Sequence, residues 1–186
     1  MVKKETTKLG RKDWIKQGFK VLGESGVEAV RVEPLAKSMG VTKGSFYWHF
    51  KNRDELLDAL LQEWVNIQTQ GIIQQVDRKD GDAKSKLLYL FELAIEDDGE
   101  VENAIRAWAT NDIKAADILS TVDSHRLEYT RDLFLQVGFS GIDAMVRARM
   151  AYYTLVVGEF TVGTRMNRDQ RLVEARLQHA ILTRRN

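Results

Sequence analysis

No cysteine occurs among the 186 residues, which excludes disulfides, thiolate nucleophiles and cysteine-ligated zinc, and fits a reducing compartment. There is one proline, Pro34, and turn-forming residues rarely cluster, so little in the chain interrupts helices. No apolar run approaches the roughly 18 residues of a membrane span, and the opening MVKKETTKLG has basic residues with no apolar segment behind them. Neither a membrane span nor a secretory signal is expected, and the cytoplasm is the expected compartment. Catalytic signatures are missing too. HExxH, GxSxG, a phosphate-cradling glycine loop and a paired histidine–carboxylate pattern are all absent, so an enzyme is not expected, and no cofactor or metal is assigned. Strand-like alternation is also lacking. With 44% hydrophobic and 30% charged residues, the composition is that of an ordinary globular protein, here expected to be all-α.

The net charge of +1 conceals a division. Residues 1–53 hold 12 Lys and Arg against 5 Asp and Glu; residues 54–186 hold 16 against 22. A basic module joined to an acidic one is expected where the first meets phosphates and the second does not. Lys3, Lys4, Lys8, Arg11 and Lys12 belong to this excess, although a solvated tail would carry the same charges.

Within the basic part, VTKGSFYWHFK (Val41–Lys51) reads as a short helix suited to DNA. Phe46 and Phe50 are four apart and share one face. The other residues, Thr42, Lys43, Gly44, Ser45, Tyr47, Trp48, His49 and Lys51, are donors, cations, amphipathic aromatics or small enough to permit close backbone approach. Before it, RVEPLAKSMG places Leu35, Ala36 and Met39 on one face and ends in Gly40, which can take positive φ between two helices. Two short helices joined in this way make a helix-turn-helix, whose second helix enters the major groove. Lys43 and Gly44, in its first turn, are the candidates for base edges; Thr42, Ser45, Tyr47, His49 and Lys51 are candidates for phosphates, and Tyr47 or Trp48 for a thymine methyl. His49 has no second ligand at i±4 and is not read as a metal site.

From Leu35 to Leu57 the chain resembles the TetR family of one-component transcriptional repressors: Ala36, Gly40, Val41, Gly44, Tyr47, Phe50, Lys51 and Leu56 fall where that family's pattern puts them. The resemblance covers about the first third of the chain. One departure lies at the entry to the first of the two helices, where the family usually caps with Ser or Thr and this chain has Arg31 and Val32 before Glu33 and Pro34. Arg31 is then a candidate for the DNA backbone rather than a cap.

A first helix is expected from about Arg11 to Gly23, completing a three-helix head. Asn52 with Glu55 reads as a capping pair that opens a long helix to about Val76, and DRKDGD (Asp77–Asp82) breaks the chain. Further helices are expected over Asp82–Glu96, Val101–Thr110, Asp112–Val137, Gly141–Gly163 and Asp169–Arg184, about nine in all. The division into domains is set at 1–53 for DNA binding and 54–186 for ligand binding and dimerisation.

Trp64, Tyr89, Trp108, Tyr129 and Tyr152 supply aromatic surface that could line an apolar cavity, or could simply be core; Arg106 could await an acidic ligand, or pair with a nearby carboxylate. The wide apolar faces of the last two helices suit contact between two protomers, with Tyr153, Val156, Phe160, Leu172, His179 and Leu182 as the dimerisation candidates. The resemblance implies a homodimer that binds a double-stranded operator and is released by a small-molecule effector. A helix-turn-helix protein controlled by a protein partner instead, without such an effector, stays open as the alternative.

Overall fold

The structure is a computed structural model and describes residues 9–96, 99–158 and 166–184. Among them all regular structure is helical, and if unbroken helical stretches are counted once there are nine helices. The chain divides into two compact units: Met1–Trp64 with Glu100–Ala116, and Val65–Gly99 with Asp117–Asn186. The expected boundary after residue 53 thus differs from the packing in two respects. The first unit keeps the helix that follows residue 53 and also takes back a later segment.

The first unit contains α1 (Arg11–Ser25), a 3-10 turn (Val27–Ala29), α2 (Val32–Ser38), α3 (Lys43–Phe46), α4 (Arg53–Val65), α7 (Glu100–Ala109) and the first turn of α8 (Ile113–Val137). Trp14, Leu22, Leu35, Phe46, Phe50, Leu56 and Leu60 are buried together as its core. Gly18 lets α1 approach α4, since a Cβ there would come within 3.0 Å of the Leu60 side chain. Arg53, at the start of α4, donates to the carbonyls of Val30 and Val27 at 2.7 and 2.6 Å, fixing the exit of the helix-turn-helix to its entry. α7 packs on α1, and a Cβ at Gly23 would lie 3.2 Å from that of Glu100. Lys114 in α8 closes the unit with an ion pair to Asp58 of α4.

The second unit contains a π-helical turn (Asn66–Gly71), α5 (Ile72–Asp77), α6 (Ala83–Glu96), the rest of α8, α9 (Gly141–Tyr152) followed by a second π turn (Tyr153–Gly158), and α10 (Arg168–Leu182). Ser140 caps α9 by accepting from Asp143 N–H, and Asn167 with Gln170 forms a reciprocal capping box on α10. The core is built from Val76, Leu87, Phe91, Ile95, Leu133, Phe134 and the α9 alanines 144, 148 and 151, with Ala175 and Leu182 from α10. Small residues on α9 and α10 allow their backbones to approach the other helices closely. Arg147 pairs with Asp143 at 2.8 Å, donates to the Leu182 carbonyl at 2.6 Å and lies 3.9 Å over the Phe139 ring, so one side chain ties the start of α9 to the end of α10. Residues 159–163 of the expected helix, with the dimerisation candidate Phe160, lie outside the described residues.

Candidate nucleic-acid interface

The turn between α2 and α3 closes with two backbone bonds, Val41 N–H to the Ala36 carbonyl at 3.0 Å and Gly40 N–H to that of Lys37 at 3.2 Å. This pattern needs a left-handed residue, and Gly40 supplies it at φ +68°. α3 is a single helical turn that runs into a hydrogen-bonded turn, with His49 and Phe50 N–H both reaching the Phe46 carbonyl. The segment is shorter than the helix expected over Val41–Lys51. Phe46 and Phe50 anchor it in the core, and Lys51 N–H is taken by Glu55 at 2.7 Å, so the backbone must turn into α4. Phe46 packs edge-on against Trp14 at 5.2 Å and stacks on Phe50 at 5.3 Å.

That anchoring sets what faces outward. Trp48 is 86% exposed and Tyr47 53%, unusual for large aromatics in a unit with this core. Thr42, Lys43, Gly44 and Lys51 are exposed beside them, with Ser45 half-buried. Thr42 makes no side-chain capping bond. A Cβ on Gly44 would meet only the Thr42 hydroxyl, at 3.6 Å, so packing does not require glycine there. Two candidates donate to backbone carbonyls of the protein. His49 is half-buried and its Nε2–H donates to the Leu9 carbonyl at 3.2 Å, holding the segment before α1. Arg31 precedes α2 and donates through Nε to the Glu28 carbonyl at 2.8 Å, leaving the guanidinium at the surface.

Lys43 has a partner that sequence reasoning missed. Its ammonium lies 2.6 Å from the Glu33 carboxylate of α2, and the hydrogen bond and charge of Glu33 hold the lysine pKa above its ordinary value while lowering that of Glu33. The two residues are ten apart in sequence, across the turn. Opposite charges at both ends of a helix-turn-helix were the available signal.

A family model, bacterial regulatory proteins, tetR family, matches residues 15–60, the span that builds this head. Over these residues the chain is similar to the tetR family. Over 82 residues the chain is 34% identical to the class A tetracycline repressor protein from transposon 1721 of Escherichia coli, covering 44% of this chain and 37% of that protein. The chain therefore spans little more than a third of the length of that curated relative. A transcriptional regulator from Rhodococcus sp. Rha1 superposes with a TM-score of 0.75 at 18% identity, over 94% of this chain and 96% of the other. The FadR regulator from Bacillus subtilis, solved with stearoyl-CoA, superposes at 0.66 with 19% identity over 91% and 96%. At such identities the likeness is one of fold.

The six ligand candidates are divided between the two units. Trp64, Arg106 and Trp108 lie in the first, where both tryptophans are buried and Arg106 pairs with the buried Glu102 at 2.7 Å. Tyr89, Tyr129 and Tyr152 lie in the second. Tyr89 and Tyr129 pack against its core, and Tyr129 donates to Asp77 at 2.7 Å. Tyr152 is buried and donates to Asp123 at 2.6 Å; burial first, and then the Asp123 charge, raise both its pKa and the cost of ionising it. Packing and internal hydrogen bonds account for all six. The second unit has an open depression of about 540 Å³ edged by Asp82, Lys84, Gln136 and Arg184, and none of the six lines it.

The dimerisation candidates need correction. His179 and Leu182 are buried within the protomer, and Leu172 and Val156 pack against its core. His179 donates from Nε2 to the Lys84 carbonyl at 2.9 Å and stands edge-on to Phe91. Of the described candidates only Tyr153 points outward, where it joins Ile142, Val146 and Met150 of α9 in an exposed apolar stripe. Val173, Leu177 and Ile181 form a matching stripe on α10. Each helix carries two apolar faces, and the sequence reading took the inner one. Spacings of four, as in 142, 146 and 150 or 173, 177 and 181, were the signal for the outer one. Among the described residues no cluster of His, Cys, Asp or Glu is placed to hold a metal, and no helix is long and apolar enough to cross a membrane.

Proposed function

We propose that the protein is a cytoplasmic, homodimeric transcriptional repressor that binds a double-stranded DNA operator and releases it when a small molecule binds the second unit. The observation that carries this reading is the tetR-family head, in which Phe46 and Phe50 fix a short segment so that Lys43, Gly44, Tyr47 and Trp48 are presented outward. Lys43 and Gly44 meet base edges; Arg31, Thr42, Ser45, Tyr47 and Lys51 meet phosphates; Trp48 packs on sugar or a thymine methyl. His49 contributes by holding the Leu9 segment. The excess of cations in residues 1–53 supplies the sequence-independent part of the affinity.

A palindromic operator needs two heads. The exposed stripes of α9 and α10 are the surface for a second copy, since symmetric pairing of two such helices buries both. A regulator of the same fold holds stearoyl-CoA, which supports an effector site in this architecture. By linkage, an effector that prefers the DNA-free dimer lowers operator affinity by the factor with which DNA lowers its own. Control by a protein partner is the second reading, favoured by the tight packing of Trp64, Trp108 and Tyr152. Selection of bound fragments from the source genome tests DNA binding, and recovery of no enriched sequence refutes it. A small-molecule thermal-shift screen on the dimer, with hits assayed for operator release, separates the two modes of control.

A further inference from the structure

Lys43 opens α3 and Glu33 lies in the first turn of α2, so the turn between the two helices sets an ammonium and a carboxylate side by side at 2.6 Å. Both side chains are well exposed, Glu33 at 71% and Lys43 at 50%. Only one carboxylate oxygen, Oε1, is used; among the described residues Oε2 has no hydrogen-bond partner. The ammonium keeps two further donors. The Tyr47 phenol is near enough to bear on the same ammonium, which sets the pair beside the exposed aromatics of the head. An exposed ion pair adds little to folding stability. On a surface that meets DNA, however, its carboxylate is repelled by phosphates and loses hydration unless a donor replaces the water. In the major groove the base-edge donors are only the amino groups of cytosine and adenine.

We propose that Glu33 and Lys43 read one G·C base pair as a unit, the lysine donating to guanine O6 and N7 and the glutamate accepting from the amino group of the paired cytosine. Guanine O6 and that amino nitrogen are hydrogen bonded to each other and so lie about 2.9 Å apart, close to the 2.6 Å between the two charges. The two acceptors of the guanine adjoin, and the donor stands beside them at the edge of the pattern. An A·T pair instead places its amino group between two acceptors, N7 and O4, which repel a carboxylate from both sides. Glu33 is thus a specificity-determining residue: it weakens binding everywhere, and least at a G·C pair in this register. The inference rests on the DNA binding proposed above, and adds to the residues of α3 a base-reading residue from α2.

The test uses the full chain, selection from a random-sequence duplex library and two variants. Wild type is expected to enrich a motif that contains a fixed G·C pair. Glu33→Gln is expected to gain at least fivefold more affinity for the motif with that pair changed to A·T than for the intact motif, because a glutamine amide both accepts and donates. Changes at the other motif positions are expected to weaken the variant as much as they weaken wild type. Exchanging the charges, Glu33→Lys with Lys43→Glu, is expected to invert the preference at that position alone, from G·C to C·G, since inverting the pair exchanges O6 and the amino group. A pair that merely ties α2 to α3 predicts that the exchange leaves the preference unmoved. A wild-type motif in which no G·C pair responds to Glu33→Gln overturns the inference, as does a folded charge-exchanged chain with the wild-type preference. If circular dichroism shows the exchanged chain unfolded, Glu33→Gln decides alone. Either negative result leaves the proposed function intact. A wild-type chain that enriches no sequence refutes the function, and this role with it.

Discussion

The Lys43 ammonium and the Glu33 carboxylate meet at 2.6 Å across the turn of the helix-turn-helix, both exposed to solvent. A cation proposed for base edges is therefore held by a carboxylate that DNA must compete with or accommodate. Glu33→Gln removes a negative charge facing phosphates and is expected to tighten binding to all sequences several-fold. Lys43→Ala is expected to cost about 1–3 kcal/mol at particular base pairs. Lys51→Ala is expected to weaken binding uniformly and flatten the salt dependence by about one unit of slope. Titration against operator and scrambled DNA at several salt concentrations separates the three; equal losses for Lys43→Ala on both DNAs would reassign that lysine to the backbone.

The outer stripes of α9 and α10 give a second expectation. Leu177→Glu places a charge on the exposed face and is expected to yield folded monomers, because a charge buried between two apolar surfaces has no hydration. Val156→Glu places one against the protomer's own core and is expected to cost about 3 kcal/mol of folding stability. Sedimentation and circular dichroism on both variants check the contrast. A Leu177→Glu chain that remains a dimer would move the interface elsewhere.

The head was legible because its signals are local: Phe46 and Phe50 one helical turn apart, a glycine where φ must be positive, and Asn52 accepting from Glu55 N–H at 2.9 Å. The helices of the second unit were legible for the same reason, through Gly138, Ser140 and the Asp77–Asp82 break. What was not legible depends on choices between faces or on distant partners. On α9 the large residues 142, 146 and 150 lie outside while the alanines 144, 148 and 151 hold the core, so side-chain size points the wrong way. The pairing of Lys43 with Glu33 depends on the turn geometry, and a buried aromatic such as Trp64 looks the same in sequence whether it lines a cavity or fills one.

His179 links α10 to α6 through the Lys84 carbonyl, and burial lowers its pKa, with that hydrogen bond opposing the shift. Lys84, Glu92 and Asp82 are the charged groups that bear on it. A histidine depressed in the folded state binds its proton more readily when unfolded, so its stabilising share is complete above the unfolded value of about 6.5. The share is lost as pH falls from there towards the folded value. The urea midpoint is expected to drop between pH 7.5 and pH 5.5, and His179→Gln, which keeps a donor but cannot titrate, is expected to flatten that drop. An unchanged pH slope in the variant would assign the loss to the carboxylates.

Gly40 and Gly44 lie four residues apart in the same motif, and for each a different property of glycine is at stake. At Gly40 no atom lies within 4 Å of the place a Cβ would take, yet φ is +68°, so Gly40→Ala pays only for backbone conformation, about 1 kcal/mol of stability. Gly44 sits inside α3 with ordinary helical φ and room for a methyl group, so Gly44→Ala is expected to fold as well as wild type or slightly better. If glycine at 44 serves close approach of the backbone to DNA, the same methyl group obstructs the groove, and operator affinity is expected to fall at least fivefold with no loss of stability. Thermal unfolding and operator titration on both variants decide between the roles. Gly44→Ala binding the operator as tightly as wild type would show that Lys43, Tyr47 and Trp48 reach the DNA without backbone approach at that position.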